Sequence, residues 1–259
     1  MLLNILRKHT LHIGLAAALL AFSSTAFAQV NVTDSVVGTP IFDFEFGVQL
    51  PGGDFDERFN NSYTLGGAFV IKNKKNFLYG GGAHFLWSDR INEEGLLTGL
   101  QTSRGEIINQ NGEYAFIRKG LRGYHISGRF GKLFSGLGPN PNSGIFVTGG
   151  LGFTEYWIRF DVEDQLAPQL RDDYHKLYDQ RTNGLTLTES IGYRHLGNSR
   201  LVNFFVAFDV RQGFTRNRRS VNLDLGGGRP DAQLDLWYGF RVGWSIPMYK
   251  RASDGFYYY

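Results

Sequence analysis

Alternation with a period of two constrains this chain more than any other feature. In the stretch LWYGFRVGWSIPMY, Leu236, Tyr238, Phe240, Val242, Trp244, Ile246 and Met248 fill every second position. Trp237, Gly239, Arg241, Gly243, Ser245 and Pro247 fill the gaps. Successive side chains of a strand point to opposite faces, so the pattern is a β-strand with one apolar and one mixed face. It exceeds the usual strand length of soluble proteins. The medium touching that apolar face therefore decides the fold.

Seven earlier segments repeat the pattern. Residues 42–50, 63–72, 77–88 and 124–131 alternate cleanly, as do 185–194 and 202–211. The segment at 144–162 shifts phase between Leu151–Phe153 and Tyr156–Ile158–Phe160, which predicts a bulge near Thr154 or Glu155. The connections fall at about 51–61, 73–76, 89–120, 135–143, 163–183, 197–200 and 215–232. Every second one (NKKN, SGLGPNPNS, GNSR) is a Gly/Asn/Pro-type turn, and the others are longer and irregular. Short turns at one end, long loops at the other and an even strand count predict an all-β fold. It is an antiparallel up-and-down transmembrane β-barrel of eight strands with long structured external loops. Tyr63, Tyr79, Trp87, Tyr124, Tyr156, Trp157, Tyr193, Tyr238, Trp244 and Tyr249 are available for two interfacial girdles.

The amino terminus fits this reading. Arg7 and Lys8 precede an apolar run from Leu11 to Phe22 and the small-residue box Ala26-Phe27-Ala28. That is a secretory signal peptide over 1–28, with the barrel expected over 29–249 and a periplasmic aromatic tail over 250–259. The predicted location is a bacterial outer membrane, reached through a cleaved signal. Without Arg7 and Lys8 the 27 basic residues fall to 25 against 24 acidic ones, so charge argues for no nucleic-acid partner. The chain has no Cys, which excludes disulfides, thiolate metal sites and a thiol nucleophile.

The mixed face has its own logic. Asp43, Glu45, Asp209 and Asp235 are expected to point inward with Lys72, Arg129, Arg194, Arg211 and Arg241. Near balance suits a closed lumen in which each charge needs a partner. Eight strands leave room for side chains alone, so an ion-paired plug is expected rather than a pore.

The chain after the signal resembles the eight-stranded bacterial outer-membrane β-barrels. Its tail KRASDGFYYY is similar to those of many Bacteroidota envelope proteins. The resemblance implies fold and location and carries no catalytic motif.

Candidate chemistry is sparse. His125 and Ser127 share one strand face in YHIS, and outer-membrane lipid A deacylases use a similar His-x-Ser pair with a carboxylate. In that family the acid lies about a dozen residues downstream. Here that region is GLGPNPNSG, without Asp or Glu, and Gly128 follows the serine where the family has asparagine. The nucleophile–base–acid logic is incomplete. His84, His125, His175 and His195 lack metal-ligand spacing, although His84 and His125 can approach across adjacent strands. GGGR at 226–229 has no following helix to cradle phosphate, and no cofactor is expected. RNRR contributes Arg216, Arg218 and Arg219 as an external cluster suited to lipopolysaccharide phosphates.

Two loops carry local order. Asn111-Gly112 lies between β-prone runs and predicts a hairpin. Behind Pro168, Leu170, Tyr174, Leu177 and Tyr178 recur at helical spacing, an apolar stripe for the barrel mouth or a protein partner. The function expected is structural or interactive, as an accessory subunit of a secretion or assembly complex. A deacylase-like enzyme and a narrow transporter or small-ligand binder are the alternatives.

Overall fold

The computed structural model describes residues 35–93, 95–162, 167–170, 173–198, 201–224 and 232–249. The expected signal peptide, the 250–259 tail and GGGR lie outside the described residues. Eight antiparallel strands close into a barrel in sequence order. They are β1 Thr39–Gly53, β2 Ser62–Lys72, β3 Phe77–Ser88, β4 Ile117–Phe134, β5 Gly144–Val162, β6 Thr182–His195, β7 Phe204–Asn217 and β8 Gln233–Pro247.

The register fixes the tilt. From Pro40 the ladder runs through Ile71, Tyr79, Phe130, Gly149, Glu189, Val210 and Tyr238, and it returns to β1 at Leu50. The circuit closes ten residues along the strand from its start, the stagger that a tilted barrel requires. Residue parity then assigns every side chain to the lumen or to the outside.

The short turns gather at one end. Asn73 Oδ1 accepts the backbone N–H of Lys75 and Phe77 at 2.8 and 2.9 Å, and Asn76 takes the left-handed conformation at φ 61° that asparagine tolerates. Strands β4 and β5, of 18 and 19 residues, rise well beyond the others at the opposite end. β4 starts at Ile117, seven residues before the alternation beginning at Tyr124 announces it. The reason is a change of surroundings part-way along.

No bulge occurs near Thr154 or Glu155. The β4–β5 and β5–β6 ladders run without interruption through both residues. Instead the polarity inverts: Leu151 and Phe153 face outward, whereas Tyr156, Ile158 and Phe160 face inward. Below the inversion the outside is apolar and the lumen is polar down to a small apolar floor at the turn end. Above it, Arg118, Arg122, Arg159 and Asp161 lie outside and hydrocarbon lies within.

Tyr63, Tyr79, Trp87, Tyr124, Trp157, Tyr193, Tyr238 and Trp244 all stand on the outer face, at its two edges. Two expected girdle residues do not. Tyr156 is buried in the lumen side of the upper end, and Tyr249 lies beyond β8 with its hydroxyl on the carbonyl of Gly197. For Tyr156 the physical reason is the inversion, since a phase rule learned below it fails above.

Candidate functional site

The lumen is filled in three layers. At the turn end, Ala68, Val70, Leu78, Leu133, Phe146, Phe205 and Ala207 form an apolar floor. Phe205 lies flat because its neighbour on β8 is Gly243, where a Cβ would come 2.1 Å from the ring. The guanidinium carbons of Arg194 and Arg241 sit 4.8 and 5.2 Å from the centre of that ring. Phe205 thus joins the floor to the charged layer above.

The charged layer is built across the lumen, from β1, β3, β4, β6, β7 and β8. Glu45 receives both terminal nitrogens of Arg129 at 2.9 and 3.2 Å, Arg241 Nη1 at 2.6 Å and His84 Nε2 at 2.6 Å. Arg241 also grips Asp209 twice, at 2.6 and 3.0 Å. Asp43 forms a separate two-pronged pair with Arg194 at 3.0 and 2.7 Å, completed by Ser245. Such bidentate contacts fix geometry as well as charge. The cavity left in this layer is about 20 Å³, space for about one water molecule.

The expected single network is therefore several clusters. Lys72 reaches no acid among the described residues; its ammonium donates to the Val37 carbonyl at 2.9 Å and Asn142 Oδ1 at 2.8 Å, tying a short turn to the chain entering β1. Asp235 accepts from Tyr156 and Thr215 hydroxyls, both at 2.6 Å, higher in the barrel. Arg211 makes no ion pair among the described residues and lies over Trp237.

His125 and Ser127 both face the lumen beside this layer. His125 Nδ1 lies 2.8 Å from Thr154 Oγ1, and its ring stacks 6.3 Å from that of His84. No carboxylate orients His125 among the described residues, so the pair lacks the acid that nucleophilic catalysis requires. Nor do the described residues contain a group of three or more side chains able to hold a metal ion.

The third layer is a cap. Phe55, Phe59, Leu86, Leu96, Leu97, Ile107, Leu121, Tyr156, Ile158, Leu170, Tyr178 and Trp237 make one apolar cluster drawn from strands and long loops. Phe55 packs edge-on against Tyr156 at 5.4 Å and lies 4.9 Å from Trp237. At its centre Arg58 is fully buried, bonded to Gln180 at 3.0 Å and to Tyr156 and Gln233 at 3.3 Å, with Glu93 at 3.6 Å. Sequence reading passed over Arg58 because it sits in a loop without periodicity. The two phenylalanines beside it, at 55 and 59, were the available signal.

The loop predictions resolve in detail. The Asn111-Gly112 turn exists as a minimal hairpin, with Ile108 bridged to Tyr114 and Gly112 left-handed at φ 81°. The stripe behind Pro168 is two 3-10 turns, Pro168–Leu170 and Tyr174–Leu177, rather than one α-helix. Leu170 and Tyr178 join the cap core and Leu177 packs against it, leaving Tyr174 63% exposed. Of the two expectations for the stripe, Leu170, Leu177 and Tyr178 follow the mouth-packing one, and Tyr174 is left free to face a partner.

The basic cluster is also partly engaged. Arg219 clasps Asp179, with Nε 2.7 Å from Oδ1, and Arg218 Nε lies 2.6 Å from Asn183 Oδ1. Arg216 faces outward on β7. Nearby, burial pushes the Asp224 carboxyl above its ordinary range; the Leu97 backbone and Lys119 oppose the shift and Glu93 adds to it.

Neither a protein-family model nor a curated protein matches the chain. Among solved structures it is similar to Ail, the attachment invasion locus protein of Yersinia pestis, in complex with the heparin analogue sucrose octasulfate. The identity is 9% and the TM-score 0.41, over 81% of this chain and 99% of that one. A second structure of Ail aligns at 11% identity and TM-score 0.39, over 81% and 99%. The outer membrane protein OprG from Pseudomonas aeruginosa aligns at 9% identity and TM-score 0.37, over 83% and 98%.

Proposed function

We propose that the chain is an outer-membrane barrel of a bacterial envelope with a structural and interactive role. It serves as an accessory subunit of a secretion or assembly complex and meets its partner through the cap. One observation carries this reading: the lumen is filled from floor to cap, with about 20 Å³ left in its charged layer. Solute passage and lumenal catalysis both need more space. Specific recognition is left to the parts that project beyond the wall.

The cap supports that assignment by its surface. Tyr114, Phe116 and Tyr174 are 60–63% exposed although the core beneath them is closed. Exposed aromatics are the usual anchors of protein interfaces. Lipopolysaccharide is a second contact, because Arg122 stands on the outer wall level with the upper aromatics Trp87 and Trp157, and Arg118 and Arg159 stand beyond it. The trio at 216–219 is a further anion site; in both groups arginines are shared with protein partners, Arg218 and Arg219 with Asn183 and Asp179, Arg122 and Arg159 with Asp89 and Asp161.

The test is co-purification from native membranes. Replacing Tyr114, Phe116 and Tyr174 together by alanine should remove the partner while heat-modifiable migration of the barrel is kept. Retention of the partner would overturn the cap as the recognition surface. His125→Ala and Ser127→Ala should leave the mass of host lipid A unchanged. An acyl chain lost with the wild type and restored by both variants would establish the deacylase instead.

A further inference from the structure

Between the two aromatic edges the outward residues of the barrel are apolar almost throughout, from Phe44 and Phe46 on β1 to Phe240 and Val242 on β8. Glu189 on β6 breaks the pattern. Along its strand it stands between Leu187 and Ile191, and across the ladders it pairs with Gly149 and Val210. The ladders on both sides are continuous, so Glu189 cannot turn inward without bringing Leu187 and Ile191 with it.

Its depth follows from the register. The row Tyr79, Phe130, Gly149, Glu189, Val210, Tyr238 climbs from an aromatic of the lower edge to one of the upper edge. Glu189 stands near the middle of that climb. It is exposed and has no hydrogen bond or ion pair among the described residues. Opposite it, a Cβ on Gly149 would meet nothing within 4 Å, which leaves a notch beside the acid. The amide of Gln212, paired with Leu187, borders the same patch. An uncompensated ionisable group facing hydrocarbon is costly and seldom without purpose.

We propose that the β5–β7 wall around Glu189 is a docking surface for a membrane-embedded segment of another protein, one that presents a basic side chain at mid-depth. The inference rests on the envelope-complex reading and adds a second, lateral contact to it. Charge complementarity selects the occupant. A second copy does not supply the cation: the outward base in the apolar band, Lys132, lies at the lower edge against the Phe77 and Phe134 rings. Lipids do not supply it either, because their charges stay with the headgroups beyond the aromatic edges. A basic side chain entering the Gly149 notch reaches the carboxylate with little displacement of neighbouring atoms.

A photo-crosslinking residue in place of Leu187, and separately of Phe69 on β2, tests this in native membranes with the full chain. Position 187 should give a discrete adduct and position 69 none. Glu189→Gln, and in parallel Glu189→Leu, should reduce the adduct about three- to tenfold, as removal of a polar contact within a membrane does. Heat-modifiable migration identifies the variants that have inserted. Peptide mapping should place the adduct on a membrane-embedded segment of another protein, beside an Arg or Lys. No adduct from 187, an adduct indifferent to both variants, a second copy of this chain, a lipid, or a segment without a basic residue would each overturn the proposal. A complex lost with the cap variants but unaffected by Glu189→Gln overturns the wall and spares the cap. A wild-type chain that migrates alone overturns both.

Discussion

The two halves of β5 are one strand folded under opposite rules. From Val147 to Phe153 its large apolar residues look outward, and Thr148, Gly150 and Gly152 look into the lumen. From Tyr156 to Phe160 the large residues look inward, while Glu155 faces out and accepts from Arg181 and Asn183 at 2.5 and 2.8 Å. Backbone geometry is the same throughout, with an unbroken ladder on each side. What changes is the solvent. Below, hydrocarbon surrounds the wall and polar groups must find partners inside; above, water surrounds it and apolar groups must hide. A continuous strand can serve both media because alternation fixes faces but does not say which face is dry.

The comparison is most directly broken at the charged layer. Arg241→Met leaves Glu45 without one of its arginines and strips Asp209 of its bidentate partner. Removing one member of a buried pair costs about 3–5 kcal/mol. Urea unfolding in lipid vesicles should show the loss as a lower midpoint for the whole barrel. In the cap the corresponding lesion is Trp237→Ala, which empties an apolar centre at a cost of about 3–5 kcal/mol. Its effect should be regional. Proteases should enter the long loops while heat-modifiable migration persists, and planar-bilayer conductance should stay negligible because the floor and charged layer remain shut.

A finer test uses one face of β4. Ile126 and Arg122 point the same way four residues apart, one within the apolar band and one above it. Ile126→Arg should cost about 2–4 kcal/mol if 126 lies near the bilayer midplane, and less toward its edge. Arg122→Ile should cost about 1 kcal/mol or less, since its partner Asp89 is mostly exposed. Equal penalties at the two positions would erase the boundary drawn between them.

The smallest effect concerns acidity in the cap. Burial raises the Asp224 carboxyl above its ordinary range. The folded cap therefore binds a proton more readily than the unfolded chain. The stability linked to that proton is full below the ordinary carboxylate range and is lost as pH rises through the native value. Asp224→Asn should protect the loops from proteolysis at about pH 7 and give no advantage at about pH 4. Protection that grows on acidification would reverse the sign.

How much could be read in advance depended on locality. Strand number, strand order and the sorting of turns from loops followed from alternation and turn chemistry, which are properties of neighbouring residues. The outward place of Glu189 was also legible, because it shares the phase of Leu185, Leu187, Ile191 and Tyr193. The inward charges at Asp43, Glu45, Arg194, Asp209 and Arg241 followed from the same parity. Which acid meets which base did not. Those partners lie up to 196 positions apart, as Glu45 and Arg241 do, and the ladder stagger decides their meeting.

The cap lay further from reach. Phe55, Phe59 and Leu97 sit in loops without periodicity, and nothing local distinguishes an apolar loop residue that docks from one that is exposed. The phase shift at Tyr156 was visible, but a bulge and a change of medium leave the same trace in a single strand. Local pattern by itself determined a closed eight-stranded barrel with one apolar and one polar face. Closure of the sheet decided where those faces exchange roles, because only neighbouring strands and folded-over loops define what each side chain touches.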